Sequence, residues 1–271
     1  MALTKVLVTV KTYPTLSEKY DELVCTAGFR EDGTWVRIFP VPFRKLNPYK
    51  QYKKYDWIEV DLEKNQNDLR PESFRPVGLG SDINVVGHID TGAKWEQRKE
   101  FVLQHVYTNM TDLLTDLEKH DTSLAVVKAN IMDFTIKPCE REWNARKLAV
   151  VKAHQNQLDL FEKQEVFETV KKVPYEFSYV FSTDDGVKRT LMIEDWELGM
   201  LYFHSLKSAN GDESIACQKV KKKYYCEMAL RRDLYLFLGT TKRWHKVSPN
   251  PFIVIGTFYP PKSDGQLSLF E

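Results

Sequence analysis

The sequence predicts an α+β protein with a β-rich, barrel-like N-terminal unit, a helical connector and a smaller antiparallel C-terminal unit of order ββααββ. Three observations lead to this fold class. Segments in which apolar and polar residues alternate, as in half-buried strands, recur through the first 65 residues. Two tight turns, Glu-Asp-Gly-Thr at residues 31–34 and Thr-Asp-Asp-Gly at residues 183–186, each join two such segments. Residues 140–168 are instead densely charged and helical in propensity.

The N-terminal unit, residues 1–138, begins with segments that predict strands at residues 5–10, 22–27, 35–39, 57–62 and 84–88. The second and third form a hairpin around the first turn. Residues 94–120 place apolar side chains at intervals of three and four, which predicts one long amphipathic helix. Strand character then returns at residues 124–127 and 131–136. We therefore expect a small barrel or curled sheet with a helix appended.

Residues 139–172 form the predicted helical connector, and residues 173–261 the C-terminal unit. That unit opens with a hairpin around the second turn, followed by two helices and two strands. The expected elements are strands at residues 175–182 and 187–193, helices at 194–206 and 214–232, and strands at 233–239 and 252–259. The remaining segment, residues 262–271, is a tail behind the last strand.

Composition and charge narrow the class of protein. The 271 residues are 42% hydrophobic and 28% charged, which excludes disorder throughout the chain. A net charge of +1 means that any surface for nucleic acid is a local patch. No segment approaches the roughly 18 apolar residues of a spanning helix, and the N-terminus lacks the apolar core of a signal peptide. Four scattered cysteines without a Cys-x-x-Cys pair favour a cytoplasmic protein without disulfides.

The pattern Gln-Leu-x-Leu-Phe occurs twice, at residues 157–161 and 266–270. At average residue usage, one match is expected by chance in under about 1% of chains of this length. The pattern resembles the consensus peptide by which bacterial DNA polymerases and repair proteins dock on the replication sliding clamp. The resemblance implies the clamp as a partner. It assigns the contacts to Gln266, Leu267, Leu269 and Phe270, and in the upstream copy to Gln157, Leu160 and Phe161.

The two copies differ in their surroundings. The C-terminal copy follows Pro260, Pro261 and Gly265, so little chain remains to cover Leu269 and Phe270. Docking in a partner cleft is the favoured interpretation, and a tail that folds back on its own core is the alternative. The upstream copy lies in the predicted connector helix, where packing of its leucine and phenylalanine is the simpler explanation.

Basic and aromatic residues form two clusters. Cations that follow phosphates, beside rings that stack on bases, favour binding of single strands or extruded bases. The alternative is a solvated charged face whose lysine stems and tyrosines cover the core. The first cluster contains Arg37, Arg44, Lys45, Tyr49, Lys53 and Lys54, and the second contains Lys222, Lys223, Lys242, Arg243, Trp244 and His245.

Three carboxylates, Glu194, Asp195 and Glu197, stand at the start of a predicted helix and are the candidate catalytic residues of a nuclease. Such an enzyme would use Mg²⁺, although carboxylates in a first helical turn are also explained by capping and the helix dipole.

Residues 70–76 form a compact polar loop that could line a pocket, or be explained by its prolines and an internal Arg–Glu pair. Cys25 is expected to be a buried structural cysteine. No motif for another cofactor or metal is present.

The hairpins, together with Trp-Val-Arg-Ile-Phe-Pro from residue 35 and Asp-Leu-Tyr-Leu-Phe-Leu-Gly-Thr from residue 233, are similar to small β-barrel nucleic-acid modules of the PUA-like kind. The resemblance implies a barrel fold, and no family for the whole chain is identified from the sequence.

Three functions follow. The first is a nucleic-acid-binding protein of bacterial or phage DNA metabolism (repair, replication control or anti-phage defence) recruited to the clamp. The second is a clamp-recruited nuclease or base-modifying enzyme, and the third an inhibitor that occupies the clamp.

Overall fold

The computed structural model describes residues 2–19, 21–78, 83–161 and 168–262. The strands are β1 (Ala2–Lys11), β2 (Thr15–Ser17), β3 (Asp21–Phe29), β4 (Trp35–Val41), β5 (Asp56–Lys64), β6 (Ser73–Pro76), β7 (Asn84–His88), β8 (Val106–Tyr107), β9 (Leu124–Lys128), β10 (Asn130–Pro138), β11 (Tyr175–Ser182), β12 (Arg189–Met192), β13 (Tyr235–Thr240) and β14 (Phe252–Phe258). The helices are α1 (Gly92–Val102), α2 (Met110–His120), α3 (Ala145–Phe161), α4 (Trp196–Ser208) and α5 (Glu213–Lys221), with short 3-10 helices at Phe43–Lys45 and Pro48–Lys50 and a π-helix at Lys222–Ala229.

Strands β1, β3, β4, β6 and β5 form a closed five-stranded barrel. β1 pairs antiparallel with both β3 and β5, β3 pairs with β4, β4 runs parallel to β6, and β6 pairs with β5 to complete the circle. Alternating β-branched residues such as Val6, Val8, Ile58 and Val60 fill its core. Gly28 is required where β1 and β3 approach, since a Cβ there would lie 1.9 Å from the Leu7 oxygen. The predicted barrel-like N-terminal unit is confirmed.

Both predicted hairpins are present, and local geometry explains them. In the first turn the Arg30 amide donates to the Thr34 carbonyl at 2.9 Å, and Gly33 adopts a φ of +80°. In the second, Gly186 has a φ of +70° and its amide donates to Thr183 at 2.9 Å. Glycine adopts these left-handed conformations without the clash that a Cβ would create.

The C-terminal unit has the predicted order ββααββ, but its strands belong to two sheets. β11 lies between β10 and β12 in a three-stranded antiparallel sheet. β13 lies between β14 and β9, and β8 adds to β9 in parallel. Strands β8 to β10, which precede residue 139, thus pair with the C-terminal half. A local pattern can identify a strand, but it carries no information about the strand's distant partner.

The single helix predicted for residues 94–120 is wrong. The structure has α1, the short strand β8 and then α2, whose N-terminus is capped by the Asn109 side chain accepting from the Thr111 amide at 2.8 Å. The connector is helical as predicted, and α3 packs Val151 against Leu16 and Val170. Within the described ranges, no helix is both long enough and apolar enough to cross a bilayer.

Candidate functional site

A cavity of about 330 Å³ lies where the barrel meets the C-terminal unit, and we call it the interface cavity. Its walls come from β3 and β4, from the loop between β5 and β6, from the end of β13 and from β14. Four cationic and two acidic side chains line it, so the lining carries an excess of positive charge. These side chains are Arg37, Arg70, Arg75, Lys242, Asp68 and Glu194.

Arg37 enters the cavity from the barrel strand β4. It is 2% exposed, and its guanidinium donates to the Ser123 hydroxyl at 2.8 Å, to the Ser123 carbonyl at 3.0 Å and to the Thr240 carbonyl at 3.5 Å. All three acceptors are neutral. Burial and the neighbouring Arg70 lower the pKa of Arg37, yet an arginine remains charged in proteins. The cavity therefore contains a buried cation without a directly bonded counter-ion among the described residues.

Arg70 stands beside Arg37 and is fixed by Asp68. Its Nε and Nη2 donate to the two oxygens of Asp68 at 2.8 and 2.5 Å, and its Nη1 donates to the Thr240 carbonyl. Burial acts to raise the pKa of Asp68, but hydrogen bonds from Arg70 and Ser73 outweigh it and lower that pKa to about 2. The pair is thus ionised at neutral pH and holds the β5–β6 loop against β13.

The polar loop at residues 70–76 takes the pocket-lining role, because both Arg70 and Arg75 line the cavity. The internal Arg–Glu pair considered for this loop is wrong. Arg70 binds Asp68, while Glu72 accepts from the Ser123 amide at 3.0 Å and from its hydroxyl at 2.7 Å. Ser123 therefore connects Glu72 to Arg37, and a local sequence window could not show this link.

The loop after β13 carries the exposed part of the site. Lys242 and Arg243 are exposed, and the Arg243 guanidinium lies 4.7 Å from the Trp244 ring, which is 46% exposed. His245 is turned inward, with Nδ1 3.0 Å from the Thr240 hydroxyl, and burial lowers its pKa. Lys242 thus lines the cavity, and the exposed Arg243 and Trp244 follow it in the same loop without lining the cavity themselves.

Two further polar groups line the cavity without a hydrogen-bond partner among the described residues. The Thr241 hydroxyl is buried, and burial raises the pKa of the Glu194 carboxyl. Cys25 also lines the cavity, and burial raises the pKa of its thiol, which makes it a poor nucleophile.

The other candidate carboxylates lie elsewhere. Lys54 is buried and donates to both oxygens of Asp195 at 2.9 Å and to Glu197 at 3.1 Å. Burial acts to lower the pKa of Lys54, but these two carboxylates outweigh it and raise that pKa. Asp195 also caps α4 by accepting from the Glu197 amide at 3.0 Å. The described residues contain no group of three or more His, Cys, Asp or Glu side chains placed to hold a metal ion.

The rest of the first cluster is spread over the barrel surface. Arg44 pairs with Glu22 at 2.6 Å, and Lys45 pairs with Asp21. Tyr49 is 75% exposed and Lys53 is exposed. Arg37 and Lys54 are buried, so the six residues do not form one surface.

Lys222 and Lys223 lie on the π-helix and not at the interface cavity. Lys223 pairs with Glu227 at 3.1 Å and lines a separate pocket with Arg231 and Arg232. The second cluster is therefore divided between this helix and the Trp244 loop.

Both copies of the clamp-like peptide fall outside what the structure describes in atomic detail. Gln266, Leu267, Leu269 and Phe270 lie beyond the described residues. For Gln157, Leu160 and Phe161 the backbone is the last part of α3, and their side chains are not described.

Comparison with protein families divides the chain near residue 105, between α1 and β8. Residues 2–104 match a family described as Domain of unknown function (DUF8758), and residues 106–271 match a family described as Domain of unknown function (DUF8757). This division agrees with the strand pairing, in which β8 and β9 join β13 and β14. No curated protein matches the chain. Because the second match spans more than half of its length, the chain belongs to the family described as Domain of unknown function (DUF8757).

Proposed function

We propose that this protein binds nucleic acid at the interface cavity, where it takes up one unpaired or extruded base, and that its C-terminal peptide recruits it to the sliding clamp. Such a protein would act in bacterial or phage DNA metabolism, in repair, replication control or defence. The observation that carries the proposal is a cavity that holds two buried arginines and is lined by the exposed Lys242, which Arg243 and Trp244 follow in the same exposed loop.

The charge and size of the cavity support this ligand. Its volume of about 330 Å³ is at the lower end for small-molecule sites, which suits one base better than a strand. Exposed Lys242 and Arg243 can contact the phosphates on either side of that base. The Thr241 hydroxyl, which has no described partner, and the exposed amide of Asn67 supply donors and acceptors for a base edge.

Two exposed apolar side chains beside the cavity support base extrusion. Leu69 is 92% exposed, although its neighbours Asp68 and Arg70 both line the cavity. Trp244 is exposed on the loop after β13, next but one to the cavity-lining Lys242. Proteins that unstack DNA commonly insert an apolar wedge of this kind between bases, and extrusion is least costly for a base that is already unpaired.

The proposal assigns Asp195 and Glu197 to structure and not to catalysis. Both are bound by Lys54, whose ammonium donates to both oxygens of Asp195 and to one oxygen of Glu197. The geometry therefore favours a binding protein over a Mg²⁺-dependent nuclease.

Fluorescence anisotropy tests whether the protein binds nucleic acid at the interface cavity. We expect a labelled single strand, or a duplex with one unpaired base, to bind more tightly than a fully paired duplex. Trp244→Ala should weaken binding by about 5- to 100-fold through lost stacking. Lys242→Ala with Arg243→Ala should lower the slope of log K against log salt by about 1.4.

Lys188→Ala with Lys207→Ala is the matched control, because it removes two exposed lysines that line no described cavity. This variant should bind like the wild type. Failure to bind any of these substrates at low salt would contradict the proposal, and so would unchanged binding by the Trp244 and Lys242/Arg243 variants.

Retention on immobilised sliding clamp tests whether the C-terminal peptide recruits the protein to the clamp. We expect affinity on the order of micromolar for a single peptide, lost in Leu269→Ala with Phe270→Ala. Leu160→Ala with Phe161→Ala, the matched change in the upstream copy, should retain binding. Clamp binding without nucleic-acid binding would instead favour an inhibitor that occupies the clamp.

A further inference from the structure

A second cavity, of about 310 Å³, lies where the start of α1 meets the end of β14 and the start of α4, and we call it the Trp95 pocket. It shares no lining residue with the interface cavity. The walls that matter for its chemistry are Tyr55, Trp95, Arg98, Glu197, Thr257 and Tyr259.

Aromatic rings form one side of this pocket. The centroids of Trp95 and Tyr259 lie 5.3 Å apart. Trp95 has a φ of +69°, and the preceding Ala93 and Lys94 have φ values of +45° and +55°. Three consecutive non-glycine residues in the left-handed region cost on the order of 1–2 kcal/mol each. The chain thus tolerates considerable strain to place the indole at this pocket.

Arg98 supplies a fixed cation. It is 7% exposed, and its guanidinium lies 3.8 Å from the Tyr55 ring and 5.0 Å from the Trp95 ring. Its Nε and Nη2 donate to the Ile89 carbonyl at 2.9 and 2.7 Å. Since Nη1 bonds to none of the described residues, one edge of the guanidinium is available to an anionic acceptor.

Two buried hydroxyls in the lining have no hydrogen-bond partner in the part of the chain that the structure describes. Neither the Tyr55 phenol nor the Thr257 hydroxyl bonds to any residue that the structure describes, and the two residues are only 5% and 3% exposed. Burial raises the pKa of Tyr55, so its phenol stays protonated and can donate. Buried polar groups are nearly always hydrogen-bonded, and a bound ligand would satisfy both of these.

The charges of the lining favour an anion. Lys53, Lys54 and Arg98 are cationic, whereas Glu197 is acidic. Lys54 is occupied by Asp195 and Glu197, which leaves Arg98 and the exposed Lys53 for the ligand. These cations argue against a cage for a quaternary ammonium group, which the aromatic walls alone would suggest. The Glu197 side chain is 49% exposed and can accept from sugar hydroxyls or a base amine.

We infer that the Trp95 pocket binds a nucleotide unit, with its base on Trp95 and its phosphate at Arg98 and Lys53, and with the hydroxyls of Tyr55 and Thr257 bonded to its polar edge. A free mononucleotide and one unit of a strand both carry this chemistry. The inference goes beyond the function proposed above, because it concerns a separate cavity.

Titration calorimetry of the full chain with AMP, GMP, CMP and dTMP tests it. We expect at least one to bind with a Kd on the order of 10–100 µM, and adenosine or inorganic phosphate alone to bind more weakly than AMP. Tyr55→Phe and Thr257→Val should each weaken binding about three- to tenfold. Because each removes only an unpartnered hydroxyl, the Tm should stay the same or rise.

Tyr202→Phe and Thr9→Val are matched controls. Their hydroxyls are equally buried and equally unpartnered among the described residues, but neither residue lines the pocket. They should bind nucleotide like the wild type. The inference is overturned if none of the four nucleotides binds at millimolar concentration, or if Tyr55→Phe and Thr257→Val bind as tightly as these controls.

Two further arms identify the source of the nucleotide and separate the two sites. In the Lys242→Ala with Arg243→Ala variant, tighter binding of a 5′-phosphorylated trinucleotide than of the mononucleotide identifies a strand as the ligand of the Trp95 pocket, and equal or weaker binding identifies the free nucleotide. Lys242→Ala with Arg243→Ala should leave mononucleotide binding unchanged. A loss in that variant would place the nucleotide in the interface cavity and overturn the inference.

Discussion

Two groups of buried cations contain residues of the barrel, and they differ in whether neighbouring carboxylates balance their positive charge. Lys54 and Lys11 lie with Asp195 and Glu197, two positive and two negative charges, and Lys54 bonds to both carboxylates. Among the described residues Arg37 bonds only to neutral oxygens, and the interface cavity around it has an excess of positive charge. A balanced cluster is explained by the fold alone. An unbalanced one, lined also by the exposed Lys242, is where an anionic ligand is expected.

The largest expected effect on stability is at the balanced cluster. Lys54→Met leaves Asp195 buried without its cation and should lower the free energy of unfolding by about 3–5 kcal/mol. Urea denaturation measures this. Adding Asp195→Asn, which removes the carboxylate charge but can still cap α4, should restore much of the loss. Equal stability of Lys54→Met and the wild type would mean that the cluster does not stabilise the contact between the barrel and the C-terminal unit.

The buried Lys11 should make the free energy of unfolding depend on pH. Burial and the charge of Lys54 lower its pKa from 10.5 to about 8. Below pH 8 it is charged in both the folded and the unfolded state, and its burial cost is fully present. Between about pH 8 and 10.5 the unfolded state binds more protons, so the free energy of unfolding should rise with pH by about 2–3 kcal/mol relative to Lys11→Met. Parallel curves for the two proteins would contradict the lowered pKa.

Arg37→Met should lower the free energy of unfolding by less than Lys54→Met does, because it leaves only neutral groups unpaired. We expect a fall of about 1–3 kcal/mol in the free energy of unfolding, together with a loss of nucleic-acid binding. Lys54→Met, measured under conditions where it is folded, should keep its binding. If both variants lose binding equally, the distinction between the two clusters fails.

The smallest effect on stability is expected at the exposed loop. Trp244→Ala should change the free energy of unfolding by less than about 0.5 kcal/mol, as is usual for surface positions, while it weakens nucleic-acid binding. A large fall in stability would assign the indole to the core and remove it from the proposed interface.

Features that depend on neighbouring residues could be predicted from the sequence. The turns at Gly33 and Gly186 and the strands that they join follow from local rules, and these made the barrel-like unit and the order ββααββ predictable. The pairing of β9 with β13 was not predictable, because it joins segments more than 100 residues apart.

The interface cavity shows the same limit. In the sequence its polar loop was equally well explained as a pocket-lining segment or by its prolines and an internal Arg–Glu pair. Its contact is not local, since Arg70 reaches Thr240 170 residues away. Arg37 and Lys54 looked alike in the sequence, as basic residues among aromatic ones. Only the tertiary structure separates Arg37, which bonds to neutral oxygens, from Lys54, which is paired with Asp195. The left-handed backbone at residues 93–95 was not predictable either, because none of these three residues is a glycine.

The central claim, that an unpaired base enters the interface cavity, is tested most directly with 2-aminopurine. This fluorescent base is quenched by stacking in a duplex, and Phe39 is the one aromatic residue among the described residues of the cavity lining. With the probe at an unpaired position, we predict that binding raises its emission, and that Thr241→Val binds with a smaller rise. Binding that leaves the emission of the probe unchanged would show that the base stays stacked, and would contradict the claim.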